Sequence, residues 1–344
     1  MRRLVLVVIV LSMLATASAV FAQRVAAPLP LDHHLRNGFR NMSPTYDYTV
    51  GDRVRRYLAA TLHGFPARGP VPTPVANDGA TLRANASAPT ITWVGHSTFL
   101  VQLNGVNIVT DPVWSGHVGP MNVLGARRLV APGLRFEDLP RIDAVVISHD
   151  HYDHLDAPTV RRLEHAFHPV FIVPLGYREW FASEGVTDVV ELDWWQSHRL
   201  HGVTFTATPA QHSTGRTLTD HDRRLWSSWV VQGASHTFFF GGDTGYDPRM
   251  KEIAQRVGRI DVAALPIGGY SSYESKHPNH LNPEEAVQLF EDLGARLLVP
   301  MHWGTFQLNR EPFREPPDRL LKEALRRGDE ERVALLSPGQ TIAW

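Results

Sequence analysis

Short apolar runs bounded by turn residues begin at Thr90 and continue through the rest of the chain. Runs at 91–103, 106–113, 144–147, 170–173, 189–192, 203–208, 229–232, 237–240, 262–265 and 297–299 predict strands. Helices are predicted between them at 157–167, 177–183, 248–257 and 283–293. The last has the clearest ends: Asn282 can cap it, Pro283 suits the first position, Glu285 stands third and Gly294 stops it. Strands and helices interleave without an internal repeat, which predicts a layered α/β (α+β) domain over 89–344.

The pattern before Thr90 is different. Arg2 and Arg3 precede an apolar run at 4–14, followed by the small-residue sites Ala17-Ser18-Ala19 and Val20-Phe21-Ala22. This is the pattern of a cleaved secretory signal peptide over 1–22, with the cut after Ala19 or Ala22. The run is shorter than the ~20 residues of a spanning helix. The expected location is the periplasm or the medium. Residues 23–88 carry Pro28, Pro30, Pro44, Pro66, Pro70, Pro72 and Pro74, which break up long elements and predict an arm. One helix candidate survives at 52–62. Its Arg53, Arg55 and Arg56 sit beside Val54, Tyr57 and Leu58, and suit either an arm packed on the main domain or a basic segment at a membrane surface.

Composition narrows the chemistry. The 344 residues hold no cysteine, which excludes disulfide staples, thiolate zinc fingers, a cysteine nucleophile and a lipidated cysteine anchor. Lys+Arg number 34 against 35 Asp+Glu, a net charge of -1, so the field that draws a protein onto nucleic acid is missing. Histidine is the unusual count, at 18. It is the commonest metal ligand.

The chemistry gathers where strands end. The run 144–147 leads into His149-Asp150-His151-Tyr152-Asp153-His154, and 203–208 leads to His212. The run 237–240 leads to Asp243, and 297–299 leads to His302. Five histidines and two aspartates at one edge of a core would need separate partners, whereas two cations satisfy all seven. All are nitrogen or carboxylate donors, suited to zinc or a similar first-row ion. His149 and His151, two apart, can face one ion, while Asp153 and His154 fall on the next turn and can reach a second.

The H-x-H-x-D-H run resembles that of the metallo-β-lactamase superfamily. By that resemblance one zinc takes His149, His151 and His212, the other takes Asp153, His154 and His302, and Asp243 bridges. Further segments resemble the N-acylphosphatidylethanolamine-hydrolysing phospholipase D family: WVGHSTFLVQL at 93–103, TDPV at 110–113, ELDWW at 191–195, RTLTDHDRRLWSSW at 216–229, FFFGGDTGY at 238–246, PEEAV at 283–287 and HWGTF at 302–306. The ELDWW and RTL-to-WSSW segments discriminate best among lactonase-like relatives. The resemblance implies a four-layer αβ/βα sandwich, two zinc ions, membrane phospholipid substrates and often a homodimer. It also implies that His280 faces the substrate phosphate, so Asp153, Asp243 and His280 are the candidate catalytic residues.

A hydroxide held between two zinc ions is available near neutral pH, so no serine nucleophile is required, and no G-x-S-x-G elbow is present. Asp111 and His96 are the candidates for outer partners of the ligands, because zinc-bound histidines usually donate their other nitrogen. Trp114, Trp194, Trp195, Trp226, Trp229 and Trp303 could wall an acyl-chain cavity. Phe238–Phe240 could not, being central strand. The expected function is an exported dinuclear zinc phosphodiesterase acting on N-acylated glycerophospholipids. Its rivals are a lactonase or β-lactam hydrolase, and a non-enzymatic zinc-binding envelope protein.

Overall fold

The longest apolar run does not form one strand. Residues 91–103 fold as β1 (Thr90–Gly95) and β2 (Thr98–Leu103), antiparallel partners that reverse at His96 and Ser97. Gly95 and His96 both take positive φ there, 142° and 52°. Gly95-His96-Ser97 interrupts the apolar run too briefly to stand out as a turn, which hid the reversal.

The computed structural model describes residues 33–44, 51, 69–270 and 278–344. The leader expected at 1–22 and the helix expected at 52–62 lie outside the described residues. After β2 come β3 (Val106–Thr110), β4 (Ala144–Val146), β5 (Val170–Pro174) and β6 (Val189–Leu192). The second half contributes β7 (Ser197–Leu200), β8 (Val203–Thr208), β9 (Ser228–Gln232), β10 (Thr237–Phe240), β11 (Val262–Pro266), β12 (Leu297–Met301) and β13 (Thr341–Ala343). A seven-stranded sheet has the order β6-β5-β4-β3-β2-β1-β13, and a six-stranded sheet the order β7-β8-β9-β10-β11-β12. Each sheet is antiparallel at one side and parallel at the other. The parallel strands β3 to β6 and β10 to β12 are connected largely through helices, as parallel pairing requires.

Strand alternation builds the layers. In the first sheet Ile108, Val146 and Ile172 face the second sheet, while Val109, Val145 and Phe171 face outward onto helices. Those helices are α2 (Ala157–Phe167) and α3 (Arg178–Ser183); a short α1 (Ala80–Ala84) precedes β1. The second sheet is covered by α4 (Lys251–Val257), α5 (Pro283–Asp292) and α6 (Glu315–Arg327) through Ile253, Phe290 and Leu320. The result is the four-layer αβ/βα sandwich.

The cap of α5 forms as its sequence dictates, with Asn282 accepting from Glu285 N at 2.8 Å and Glu285 Oε2 accepting from Asn282 N. The helix expected at 248–257 is instead a 3₁₀ turn at Pro248–Met250 followed by α4, because Pro248 starts the turn behind the Asp247 cap. The described part of the arm packs on the domain: Val75 N donates to Pro338 O, and Asn77 Nδ2 to Gly339 O.

Two of the tryptophans that could wall a cavity are core residues. Trp226 and Trp229 are fully buried, and each indole N–H holds the backbone just before a candidate ligand loop: Trp226 donates to Ala210 O and Trp229 to Ile147 O, both at 2.9 Å. Trp194 in turn donates to Trp226 O. The discriminating ELDWW and WSSW segments are therefore props for the site. Replacing Trp229 by Ala should cost ~3–5 kcal/mol, from the cavity and the orphaned carbonyl, and thermal unfolding with bound metal removed measures it.

Candidate metal centre

The loop after β4 is wound tightly. His154 N and Leu155 N both donate to His151 O, at 3.0 and 2.8 Å, which brings His154 back beside His149. The intervening Asp150 points away and is buried, accepting from Gly215 N and Arg224 Nη1. Arg216 closes the loop from outside, donating to the Asp150 and Leu155 carbonyls at 2.7 and 2.8 Å and stacking on Tyr152. At the end of β10, Gly242 has φ 56°, and a Cβ there would lie 2.4 Å from Ser148 Cβ. Only glycine lets Asp243 approach the histidine loop so closely.

The expected site residues converge in two groups. In one, His149 Nε2 lies 2.9 Å and His212 Nε2 3.2 Å from His151 Nδ1. In the other, Asp153 Oδ2 lies 3.5 Å from both His154 Nε2 and His302 Nε2. Asp243 Oδ2 stands between the groups, 3.0 Å from His302 Nε2, 3.2 Å from His154 Nε2, 3.8 Å from His212 Nε2 and 4.0 Å from His149 Nε2. Each group places its donor atoms within the reach of a single cation.

Outer partners set the tautomers, which are assigned here from the hydrogen bonds. Asp111 is buried at the end of β3 and accepts from His154 Nδ1 at 2.6 Å, Ser148 N at 2.7 Å and Ser148 Oγ at 2.6 Å. The Ser148 hydroxyl, donating to Asp111, accepts from His149 Nδ1 at 2.9 Å. His212 Nδ1 donates to Asn279 O at 2.8 Å. These bonds turn Nε2 of His149, His154 and His212 into the centre. His96 Nε2 lies 3.1 Å from Asp153 Oδ2, so it supports the carboxylate.

Charge follows the same division. Burial, then His154, keeps His149 far below the usual histidine range. Burial pushes His212 down to about 3 and His151 to about 4, so this group is neutral and ready to ligate. Burial opposes ionisation of Asp153 and Asp243, yet His154 and His302 hold both well below the usual carboxylate range. Burial also opposes charging of His154 and His302, but Asp243 and Asp153 outweigh it, lifting His302 to about 9. Although close to Asp243 Oδ2, the Nε2 atoms of His154 and His302 make no hydrogen bond among the described residues, and neither does Asp243 Oδ1. Neutral nitrogens packed against each other, carboxylates and orphaned buried atoms are the donor set that a pair of divalent cations satisfies.

His280 stands beside the centre, its Nδ1 3.7 Å from Asp243 Oδ2 and its ring 5.1 Å from that of His212. Of the six candidate tryptophans, Trp303 follows His302 and stacks on Trp93 at 5.4 Å. Trp114 instead ties Leu134 O on the outer face. Three contributors were invisible in the sequence. Ser148 links Asp111 to His149, and Asn279 acts only through its carbonyl. Asn41, from the arm, pairs with the backbone of His212 through both amide atoms, at 2.5 and 2.8 Å. Only the Ser-His adjacency could have drawn attention to the first; the other two depend on long-range packing. Strain collects here too, with positive φ at His96, Asp111 and His302.

Comparison with known proteins agrees with this geometry. Residues 106–303 match the model of the β-lactamase superfamily domain, and the chain belongs to that superfamily as a metal-dependent hydrolase. It is 42% identical over 241 residues to N-acyl-phosphatidylethanolamine-hydrolyzing phospholipase D 1 of Caenorhabditis elegans, covering 67% of this chain and 68% of that protein. Its family within the superfamily is the one that includes these phospholipases. An uncharacterized protein of Mycobacterium tuberculosis is 40% identical over 312 residues, covering 88% of this chain and 82% of its own length. Among solved structures, the metallo hydrolase Igni18 of Ignicoccus hospitalis superposes with a TM-score of 0.58 at 22% identity, over 75% of this chain and 99% of that one, a likeness of fold.

Proposed function

We propose that this hydrolase takes two zinc ions and cleaves the phosphodiester of N-acylphosphatidylethanolamine-like glycerophospholipids. The observation that carries the reading is Asp243 Oδ2, within 4.0 Å of four imidazole nitrogens drawn from both groups. His149, His151 and His212 would hold one ion, Asp153, His154 and His302 the other, and Asp243 both. When bound, such ions supply an acidified water near neutral pH and positive charge for phosphoryl oxygens. The chain's own part is to hold each imidazole in one tautomer through Ser148, Asp111 and the Asn279 carbonyl. His280, at the rim, orients a phosphoryl oxygen or carries a proton to the departing alcohol.

The lipid substrate is supported by the relative from Caenorhabditis elegans and by an apolar tip near the site. A hairpin pairs His117–Val118 with Ala126–Arg127, and its Val118 and Ala126 pack on Phe306, four residues beyond His302. The tip exposes Met121, Val123 and Leu124, side chains suited to a phospholipid surface. No helix among the described residues is long and apolar enough to cross a membrane, so the contact proposed is peripheral. Export rests on the leader pattern. A mature N-terminus near Gln23 outside the cytosol is expected by N-terminal sequencing, and an intact Met1 in a cytosolic fraction would contradict it. The substrate class is tested by stripping the metal, restoring zinc and assaying diester phospholipids, lactones and β-lactams. Zinc-dependent turnover confined to lactones or β-lactams would overturn the reading.

A further inference from the structure

Three of the imidazoles have a defined partner on the nitrogen turned away from the centre, and His302 does not. Its Nε2 faces Asp243 and Asp153, while Nδ1 is buried and, like two neighbouring groups, meets no hydrogen-bond partner among the described residues. Two neighbours share that condition. The indole N–H of Trp303 is buried without a protein partner, and so is Oε2 of Glu311. All three residues line one small cavity of about 20 Å³, where about 10–15 Å³ suffices for one water.

Their chemistry is complementary. His302 Nδ1 and Trp303 Nε1 are donors, Glu311 Oε2 is an acceptor, and a single water can accept two hydrogen bonds and donate one. Glu311 is itself well placed. It is buried at 9% exposure, and its other oxygen, Oε1, accepts from Gly269 N at 2.6 Å. Gly269 has φ 84°, and a Cβ there would stand 2.8 Å from His280 Nδ1. The carboxylate thus fixes the strand-end loop that runs against His280.

Building on the ligand assignment above, we propose that Glu311 is a positioning residue for His302, acting through one buried water that it shares with Trp303. The water takes the proton of His302 Nδ1, so Nε2 stays a lone pair directed at Asp153 and Asp243. Glu311 supplies the negative charge that the imidazole needs behind it, as Asp111 does directly for His154.

The test is zinc affinity by chelator competition, with the visible spectrum of the cobalt(II)-substituted protein as a second readout. Glu311→Ala should weaken zinc binding by about 10–100-fold and alter the cobalt bands. Glu311→Gln, which keeps the shape but loses the charge and one of the two acceptor oxygens, should show the same direction of loss in both. Wild-type affinity with an unchanged cobalt spectrum in Glu311→Ala would overturn the inference while leaving the ligand assignment intact; a wild-type protein that binds no metal would refute that assignment and this inference with it. If Glu311→Ala does not fold, a high-resolution crystal structure of the wild-type protein decides. A water within hydrogen-bond distance of His302 Nδ1, Trp303 Nε1 and Glu311 Oε2 supports the relay, and a direct protein partner on Nδ1 overturns it.

Discussion

Asp243→Ala should bind metal at least about 10²-fold more weakly and show no measurable turnover. An outer partner of a metal ligand is worth roughly 10–100-fold in affinity, and Asp243 is placed to do more. Its Oδ2 is 3.0 Å from His302 Nε2 and 3.2 Å from His154 Nε2, and it also faces His149 and His212. Removing it takes the shared anion from between two clusters that would each hold a dication, so repulsion between the ions rises as their ligands fall. Asp243→Asn should behave similarly, because the amide keeps the shape and loses the charge. Metal content by elemental analysis, alongside turnover, checks the prediction. Two retained metals with near wild-type activity would remove Asp243 from the bridging position.

The elements that carry donors were readable because their signal is local. A strand that ends in a histidine or aspartate shows its pattern within a few residues, and the ends of β4, β8, β10 and β12 all did. The spacing set His149 and His151 apart from Asp153 and His154, whereas placing His212 with the first pair and His302 with the second came from the family resemblance; both groups form. What escaped was set by distant contacts or misleading signals. Helix α6 has no counterpart among the predicted helices; its Pro316 and Pro317 stand in the first turn, where they cost no hydrogen bond. Edge strand β7, half polar in Ser197 and His198, lacks an apolar alternation to read. Asp111 could be placed near a ligand from its strand, but which ligand it serves, His154, depends on how β3 and β4 lie side by side. The tryptophans could be read as cavity wall or as core, and only the structure shows that Trp226 and Trp229 are core residues that anchor backbone.

His280→Ala should lower kcat by about 10²-fold or more, the range for removing a group that transfers or steers a proton, while both metals stay bound. The geometry separates the two effects. His280 is at the rim of the centre, its Nδ1 3.7 Å from Asp243 Oδ2; it groups with His212 and Asp243 but with neither His151 nor Asp153. Its loss opens the substrate side without removing a donor from either group. Steady-state kinetics and metal analysis on the same preparation check this. Parallel loss of metal and rate would make His280 a ligand, and unchanged kinetics would take it out of the reaction.

The most direct measurement is hydrolysis of N-acylphosphatidylethanolamine by the zinc-loaded protein in heavy-oxygen water, with the products weighed by mass spectrometry. His149, His151 and His212 would hold one cation and Asp153, His154 and His302 the other, with Asp243 between the groups, and such ions when bound would supply positive charge for the phosphoryl oxygens in a displacement at phosphorus. The account predicts one heavy oxygen in the phosphatidic acid and none in the released N-acylethanolamine. Heavy oxygen in a free fatty acid instead would contradict it, and would make this protein a carboxylic ester hydrolase.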